Sequence, residues 1–133
     1  YYEEMCQKAD EDARTVRTGF VRGAEKGELF TNAALYVLPS DLEGMPISLL
    51  EAMSYGTPCL VSDIPENTQL LGAFGASFAH GDTAALAEAL NRALQTPPPA
   101  GEAQADYIRQ NYSWEKNARD TLALYQRAAA RRR

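Results

Sequence analysis

The sequence predicts an α/β fold in which a parallel sheet carries helices on both of its faces. Short apolar runs rich in β-forming residues alternate with longer stretches in which apolar residues recur at helical spacing. Proline and glycine separate these segments, as they do at turns and helix ends. The chain has 133 residues, of which 45% are hydrophobic and 23% charged, and this composition suits one globular domain with a buried core.

Four short segments are predicted as strands. The clearest is an apolar run over residues 35–38 that Pro39 stops, and a second buried run ends at Ser62. Residues 15–21 alternate toward β-forming residues and end in a turn that contains glycine, so we expect a short strand there as well. The predicted strands cover residues 15–19, 35–38, 59–61 and 76–79.

The predicted helices have recognisable ends. Pro46 stands in the first turn of one helix, where its missing N–H costs nothing, and Gly56 closes the same helix. Thr83 and Ser113 are the candidate N-cap residues of two later helices. Helices are predicted over residues 2–13, 24–33, 46–55, 66–71, 83–94, 101–111 and 114–130.

Composition excludes several classes of protein. The net charge of −5 argues against nucleic acid as a main partner, because phosphate binding needs a cationic surface. No apolar run approaches the ~20 residues of a membrane span. We expect Cys6 and Cys59 to be buried, reduced thiols. One histidine, His80, and two cysteines make poor material for a metal site, so no metal is expected.

The helix predicted over residues 46–55 begins at the edge of the sheet where ligands bind. In open parallel sheets this edge is formed by the loops after the strands, here the loops after residues 38, 61 and 18. The first turn of the helix leaves free N–H groups at Ile47, Ser48 and Leu49 and a partial positive charge. Gly44 lets the backbone approach a ligand closely. The segment is therefore a candidate site for a diphosphate.

Two carboxylates flank this helix start. Glu43 precedes the helix and Glu51 lies within it, and a carboxylate accepts hydrogen bonds from paired hydroxyls such as those of a sugar ring or a ribose. A sugar–diphosphate–ribose ligand would then meet Glu43, the free amides and Glu51 in turn. The spacing alone leaves a second interpretation open, in which Glu43 caps the helix and Glu51 is a solvated helix residue.

Residues 43–63 read E-G-M-P-I-S-L-L-E-A-M-S-Y-G-T-P-C-L-V-S-D. This run resembles the donor-binding signature of retaining glycosyltransferases of the large family-four group, which have the GT-B fold, where Glu-x7-Glu stands in the context EGxPxxLLEAMxxGxPVVxSD. Only Cys59 and Leu60 depart from it, and both stay apolar. The resemblance extends to Gly19-Phe20-Val21, to residues 34–40 and 75–82, and to Tyr112-Ser113-Trp114, so it covers nearly the whole chain.

The resemblance implies a role for each part of the site. Glu43 would contact the donor hexose and is the candidate catalytic residue, Glu51 would bind the ribose hydroxyls, and Phe20 and Val21 would lie near the base. No cofactor is implied, since the donor substrate is itself a UDP- or GDP-linked sugar. The implied donor-binding residues are Glu43, Gly44, Met45, Pro46, Ile47, Ser48, Leu49, Glu51, Phe20 and Val21.

The same resemblance predicts the organisation of the protein. Residues 1–112 would form a partial Rossmann-like domain and residues 113–133 its closing helix, the C-terminal half of a GT-B fold without its first two strands. Those strands would lie between residues 15–19 and 35–38, so we expect a gap in the sheet. A missing N-terminal domain would bind the glycan, lipid or small-molecule acceptor. We expect a cytoplasmic location, leave peripheral contact with the inner face of a membrane open, and expect the isolated chain to be inactive.

Other interpretations remain open from the residues. A nucleotide-sugar epimerase of the same architecture and a non-catalytic nucleotide-sugar-binding or interaction module with a flavodoxin-like sheet are the rival functions. Asp41 and Asp63 would serve a phosphoryl-accepting module, or simply cap helices and solvate loops. Glu66 and Asn67 are weaker candidates for contact with the donor. We expect Trp114 to anchor the core and the seven tyrosines to pack against core and helices.

Overall fold

The computed structural model describes residues 2–131, so Tyr1, Arg132 and Arg133 lie outside the described part. Seven helices and three strands follow one another along these residues. Their bounds are α1 (Tyr2–Asp10), α2 (Gly23–Asn32), β1 (Tyr36–Leu38), α3 (Ile47–Ser54), β2 (Cys59–Ser62), α4 (Pro65–Leu71), β3 (Ala76–Phe78), α5 (Thr83–Gln95), α6 (Glu102–Asn111) and α7 (Trp114–Ala130).

The three strands form one parallel sheet in the order β1-β2-β3. Tyr36 pairs with Cys59, and Leu60 pairs with Ala76, so the strands lie in register with their carboxyl ends at one edge. Helices α3 and α4 make the two crossovers, as parallel neighbours require. The predicted α/β class with a parallel sheet is confirmed.

The central strand β2 is buried along its whole length because both faces of the sheet are covered. Successive side chains of a strand point to opposite faces. Cys59 and Val61 accordingly pack in the larger cluster, which contains buried residues of α3, α4 and α6. Leu60 faces the other way and packs with Phe78 of β3 and Ala89 of α5. Helices lie on both faces, as predicted.

The predicted strand at residues 15–19 is wrong. Residues 13–20 are exposed coil, and Val16 and Phe20 are 78% and 84% exposed. A β-forming segment becomes a strand only when a neighbouring strand takes its backbone hydrogen bonds, and none of the described strands lies beside it. The expected gap inside the sheet is wrong for the same reason, because the described sheet ends at β1 and is continuous from there to β3.

Several helix ends differ from the prediction by a few residues. α1 ends at Asp10, and α3 begins one residue after Pro46, which is its N-cap. Asp82, and not Thr83, caps α5, because its carboxylate accepts the Ala85 N–H at 2.9 Å. Ser113 caps α7 as predicted, accepting the Lys116 N–H at 3.2 Å.

The end of α3 is fixed against the start of α6 by two glycines. Gly56 closes α3 with a φ of +72°, a conformation that favours glycine. The Gly101 N–H donates to the Gly56 carbonyl at 3.0 Å, and a Cβ on Gly56 would lie 2.9 Å from Gly101 Cα. A side chain on Gly56 would therefore collide with the Gly101 backbone, and this contact joins the ends of the two helices.

The prediction that Trp114 anchors the core is wrong. Its side chain is 84% exposed, and α7 has no buried residue. An indole anchors a core only when another element covers it, and within the described residues none covers this side of α7. Tyr36, Tyr107 and Tyr112 do pack on the core cluster, whereas Tyr2, Tyr55 and Tyr125 are exposed.

Both cysteines are free thiols, as expected. Cys59 is buried as predicted, but the prediction that Cys6 is buried is wrong, because it is half-buried. No helix among those described is both long enough and apolar enough to cross a membrane.

Candidate functional site

The carboxyl ends of β1 and β2 place the loop over residues 39–46 next to the start of α3. Ser62, the last residue of β2, donates its hydroxyl to the Ser40 carbonyl at 2.6 Å. This bond ties the loop after β1 to the neighbouring strand end. The geometry follows from the parallel sheet, because all strand ends of one direction meet at the same edge.

Glu43 is held by its own loop and not by the helix. The Ser40 hydroxyl donates to Glu43 Oε1 at 2.6 Å, and the Glu43 side chain is partly buried. No side chain caps α3. The alternative in which Glu43 serves as the helix cap is therefore wrong, and its carboxylate stands before the helix with one oxygen engaged by a hydroxyl.

The amides at the start of α3 are largely open. Pro46 has no N–H, and the N–H groups of Gly44, Met45, Ile47 and Ser48 donate to no group within residues 2–131. The predicted free amide of Leu49 is wrong, since this N–H donates to the Pro46 carbonyl at 3.0 Å and the side chain is 0% exposed in the core. Two of the three predicted free N–H groups in the first turn, those of Ile47 and Ser48, therefore remain open next to a positive helix end.

Glu51 lies at a half-buried ion pair. Lys26 of α2 donates from Nζ to Glu51 Oε1 at 2.5 Å, and the two side chains are 36% and 37% exposed. The alternative of a freely solvated helix residue is wrong. The pair holds one oxygen of the carboxylate and leaves the other able to accept hydroxyl donors.

A cavity of about 520 Å³ opens beside Glu51, between α3 and the start of α7. Met45 and Ile47 line it and are 55% and 57% exposed. Trp114 and Lys116 line the α7 side. The structure thus brings Met45, Ile47 and Glu51 to one concave surface, while Glu43 and Gly44 lie outside the lining of this cavity.

Phe20 and Val21, the residues predicted near the base, are not brought to Glu51. Val21 lines a second cavity of about 640 Å³ together with Leu29 of α2, and the two cavities share no lining residue. Phe20 is exposed, with the Arg22 guanidinium 4.6 Å from its ring centroid. Without a strand before it, Gly19-Phe20-Val21 is irregular coil and not a strand end.

Asp41 and Asp63 meet at His80, which has no part in the predicted site. Asp63 accepts the His80 backbone N–H at 2.8 Å, and His80 Nε2 lies 3.0 Å from Asp41 Oδ1. The loops after all three strands are therefore linked at the edge that carries the site. Asn67, one of the two weaker candidates for a donor contact, is 0% exposed. The alternative in which Asp63 caps the following helix is wrong, because Ile64 is the N-cap of α4.

Burial shifts the titration of two groups near the site. It raises the pKa of Cys59 to about 12 and raises the pKa of Tyr36, whose hydroxyl donates to Ser48 Oγ at 2.7 Å. Both groups are therefore neutral near pH 7, and the Cys59 thiol offers no nucleophile. Within the described residues, no three His, Cys, Asp or Glu side chains are grouped to hold a metal ion.

Sequence reasoning missed the partners of the two carboxylates. Ser40 is three residues from Glu43, and a Ser-x-x-Glu pair in a loop could have suggested their contact. Lys26 is 25 residues from Glu51, so no local signal links them. The same holds for Ser62 and Ser40, which are 22 residues apart.

The fold is of the α/β class, and it places an open helix start between two held carboxylates at the edge of a parallel sheet where such folds bind ligands. The chain belongs to the glycosyl transferases group 1 family, whose sequence profile matches residues 1–114. It has the GT-B type of glycosyltransferase fold.

Known proteins of this family cover almost the whole chain. An uncharacterised glycosyltransferase of Methanocaldococcus jannaschii is 28% identical over 131 residues, or 94% of this chain and 33% of its own length. The alpha-maltose-1-phosphate synthase of Mycobacterium tuberculosis is 35% identical over 114 residues, or 77% of this chain and 30% of its own length. The chain spans about a third of the length of these curated relatives.

A solved structure shows the same fold. The sucrose-phosphate synthase of Thermosynechococcus elongatus matches 97% of this chain and 34% of its own with a TM-score of 0.82 and 23% identity. The match covers the described sheet and its helices, and at this identity it supports the fold and not the substrate.

Proposed function

We propose that this chain is the donor-binding part of a retaining glycosyltransferase that moves a hexose from a UDP- or GDP-linked sugar to an acceptor hydroxyl in glycan or polysaccharide biosynthesis. The observation that carries the proposal is the pair of held carboxylates, Glu43 and Glu51, on either side of the open start of α3. Membership of the glycosyltransferase family supports it.

Each group of the site matches one part of such a donor. Glu43 stands before the helix, where its free oxygen accepts hydroxyls of the hexose. The open amides of Gly44, Ile47 and Ser48 face the diphosphate. Glu51 lies one helix turn further on and accepts the ribose hydroxyls while Lys26 holds its other oxygen.

The chemistry asked of these groups is orientation and stabilisation of the leaving group. The bond from the anomeric carbon to the diphosphate oxygen breaks, and a bond to the acceptor oxygen forms on the same face of the sugar. Negative charge grows on the departing diphosphate, and N–H groups already aimed at it stabilise that charge without reorganising. The group that receives the proton of the acceptor hydroxyl, and the acceptor site itself, belong to a second domain. No metal or cofactor takes part.

Nucleotide binding and turnover test the proposal separately. Calorimetry of the 133-residue chain with UDP, GDP, UDP-glucose and GDP-mannose should show binding of one nucleotide series, and inorganic pyrophosphate should bind more weakly because it lacks the ribose. A turnover assay with the same sugars should show no product from the chain alone. Absence of binding by every nucleotide would refute the donor site, and product formation would refute the need for a second domain.

A non-catalytic nucleotide-sugar-binding module is the second candidate. The observation that favours it is that Lys26 and Ser40 already hold Glu51 and Glu43 at the helix start, an arrangement that binding alone requires. Binding without turnover in every longer form of the protein, with acceptors supplied, would favour this second function.

A further inference from the structure

A series of hydrogen bonds leads from α4 to the carboxylate of Glu43. Asn67 Nδ2 donates to Ser62 Oγ at 3.1 Å, and Ser62 Oγ donates to the Ser40 carbonyl at 2.6 Å. The Ser40 hydroxyl in turn donates to Glu43 Oε1 at 2.6 Å. We call these four residues the buried relay. It joins a helix, a strand end and a loop at the edge of the sheet that carries the site.

The direction of the relay is fixed by the number of hydrogens available. The Ser62 hydroxyl has one hydrogen, which it gives to Ser40, so its oxygen can only accept from Asn67. Asn67 must therefore turn its amide nitrogen toward Ser62, and this nitrogen also lies 3.3 Å from the Ser62 carbonyl. Only one arrangement of these groups satisfies all three bonds.

Burial makes this arrangement costly to break. Asn67 and Ser62 are 0% and 1% exposed, so water cannot replace a lost partner. A buried polar group without a partner destabilises the fold more than an exposed one. The Ser40 backbone is therefore held in one position relative to β2, and the hydroxyl that engages Glu43 starts from this fixed point.

We infer that Ser62 and Asn67 are positioning residues for the hexose end of the donor site, acting through Ser40 on Glu43. This inference rests on the proposed function. The relay engages Oε1 of Glu43, and within residues 2–131 Oε2 receives no hydrogen bond, so this second oxygen is able to accept a hydroxyl of the ligand. A hexose hydroxyl then meets an acceptor whose orientational freedom is already restricted.

The ribose end of the site is held independently. Glu51 is oriented by Lys26 of α2, and within residues 2–131 no hydrogen bond joins a member of the relay to either residue. Loss of the relay should therefore weaken binding of the hexose and leave binding of the nucleoside diphosphate unchanged. A general loss of stability would lower both affinities together, so the ratio of the two separates a positioning role from a structural one.

The experiment measures dissociation constants by calorimetry for the 133-residue chain. The probes are a sugar nucleotide and the matching nucleoside diphosphate, UDP-glucose with UDP or GDP-mannose with GDP. Ser62→Ala should lower the preference for the sugar nucleotide by about tenfold, the loss expected when a charged hydrogen-bonding group is no longer held. The affinity of the variant for the nucleoside diphosphate should differ from that of the unmodified chain by less than about twofold.

Three further variants complete the design. Ser40→Ala, at a half-exposed position, should reproduce the effect and carries the test if Ser62→Ala fails to fold. Ser40→Thr keeps the hydroxyl and should restore the preference. Thr68 lies on α4, the helix that also carries Asn67, and its hydroxyl donates to the Ile64 carbonyl outside the relay. Thr68→Ala is therefore the matched control.

The outcomes distinguish a failure of the positioning role from a failure of the proposed function. An unchanged preference in Ser62→Ala and Ser40→Ala, or an equal loss for both ligands, overturns the positioning role. An unmodified chain that binds the nucleoside diphosphate but gains nothing from the hexose overturns the assignment of Glu43 and the relay with it. Absence of all nucleotide binding overturns the proposed function itself.

Discussion

Replacing Glu51 with glutamine tests the ribose end of the proposed donor site. Glutamine keeps the shape of the side chain but removes the charge and replaces one acceptor oxygen with an NH₂ donor. In the structure Lys26 occupies Oε1 at 2.5 Å, which leaves Oε2 for the ribose hydroxyls. The variant would therefore lose hydrogen bonds to a charged acceptor and bring a donor toward hydroxyl groups.

The expected loss follows from the environment of Glu51. Hydrogen bonds to charged groups contribute about 1.5–3 kcal/mol when water is excluded. The side chain is 37% exposed, so we place the loss at about 1–3 kcal/mol, which is about 5-fold to 150-fold in dissociation constant. The free energy of unfolding should change by less than about 1 kcal/mol, because partly exposed ion pairs stabilise folds weakly.

Calorimetry with UDP and GDP measures this loss directly. Glu88→Gln is the matched control, since it makes the same change in charge at an exposed position of α5, the helix on the opposite face of the sheet. Lys26→Met should also weaken binding, because the Glu51 carboxylate is no longer oriented, but by less than Glu51→Gln. A dissociation constant that is the same in Glu51→Gln and in the unmodified chain would refute the ribose assignment.

Two further predictions concern the scaffold. Gly75→Ala should lower the free energy of unfolding by about 2–4 kcal/mol, because its φ is +72° and the new Cβ would lie 2.8 Å from the Cys59 carbonyl. Gly81→Ala shares the positive φ but has open space, so urea unfolding should show only about 1–2 kcal/mol for it, and equal losses would contradict the close-packing argument. In the folded chain Cys59 should resist thiol reagents at pH 8 while the half-buried Cys6 reacts, since burial raises the pKa of Cys59 from 9.0 to about 12. Equal reactivity of both cysteines would count against the burial of Cys59. The folded state disfavours the Cys59 thiolate, so the contribution of the neutral thiol to stability is complete below pH 9 and is lost between about pH 9 and 12. Urea midpoints measured across that pH range test this loss.

The parts of the fold that the sequence predicted are those whose own residues determine them. The strand β2 is an apolar run that the core buries, β1 and β3 are partly buried beside it, and α3 is bounded by Pro46 and Gly56. Residues 15–21 have similar β-forming composition, but a strand also needs a neighbour, and the sequence does not show whether one is present.

The candidate site divides in the same way. The two carboxylates and the helix start between them follow from Glu-x7-Glu and a proline, all within one short segment. Other elements supply Lys26, the partner of Glu51, and also Ser62 and Asn67, which reach Glu43 only through Ser40. Only the folded chain brings these residues to the site. Trp114 was misjudged because an aromatic residue predicts burial only on average, and its surroundings decide the outcome.

The long helix α7 differs in local stability from the buried core of the chain. It spans 17 residues, none of them buried, and its cap at Ser113 and its Lys116–Asp120 ion pair are local contacts. A helix supported only by local contacts is marginal in water at this length. Because the core protects β2, the free energy of local unfolding should be lower in α7 than in β2. The cavity beside Glu51 is therefore lined on one side by α3, which packs in the core, and on the other side by the less stable helix α7.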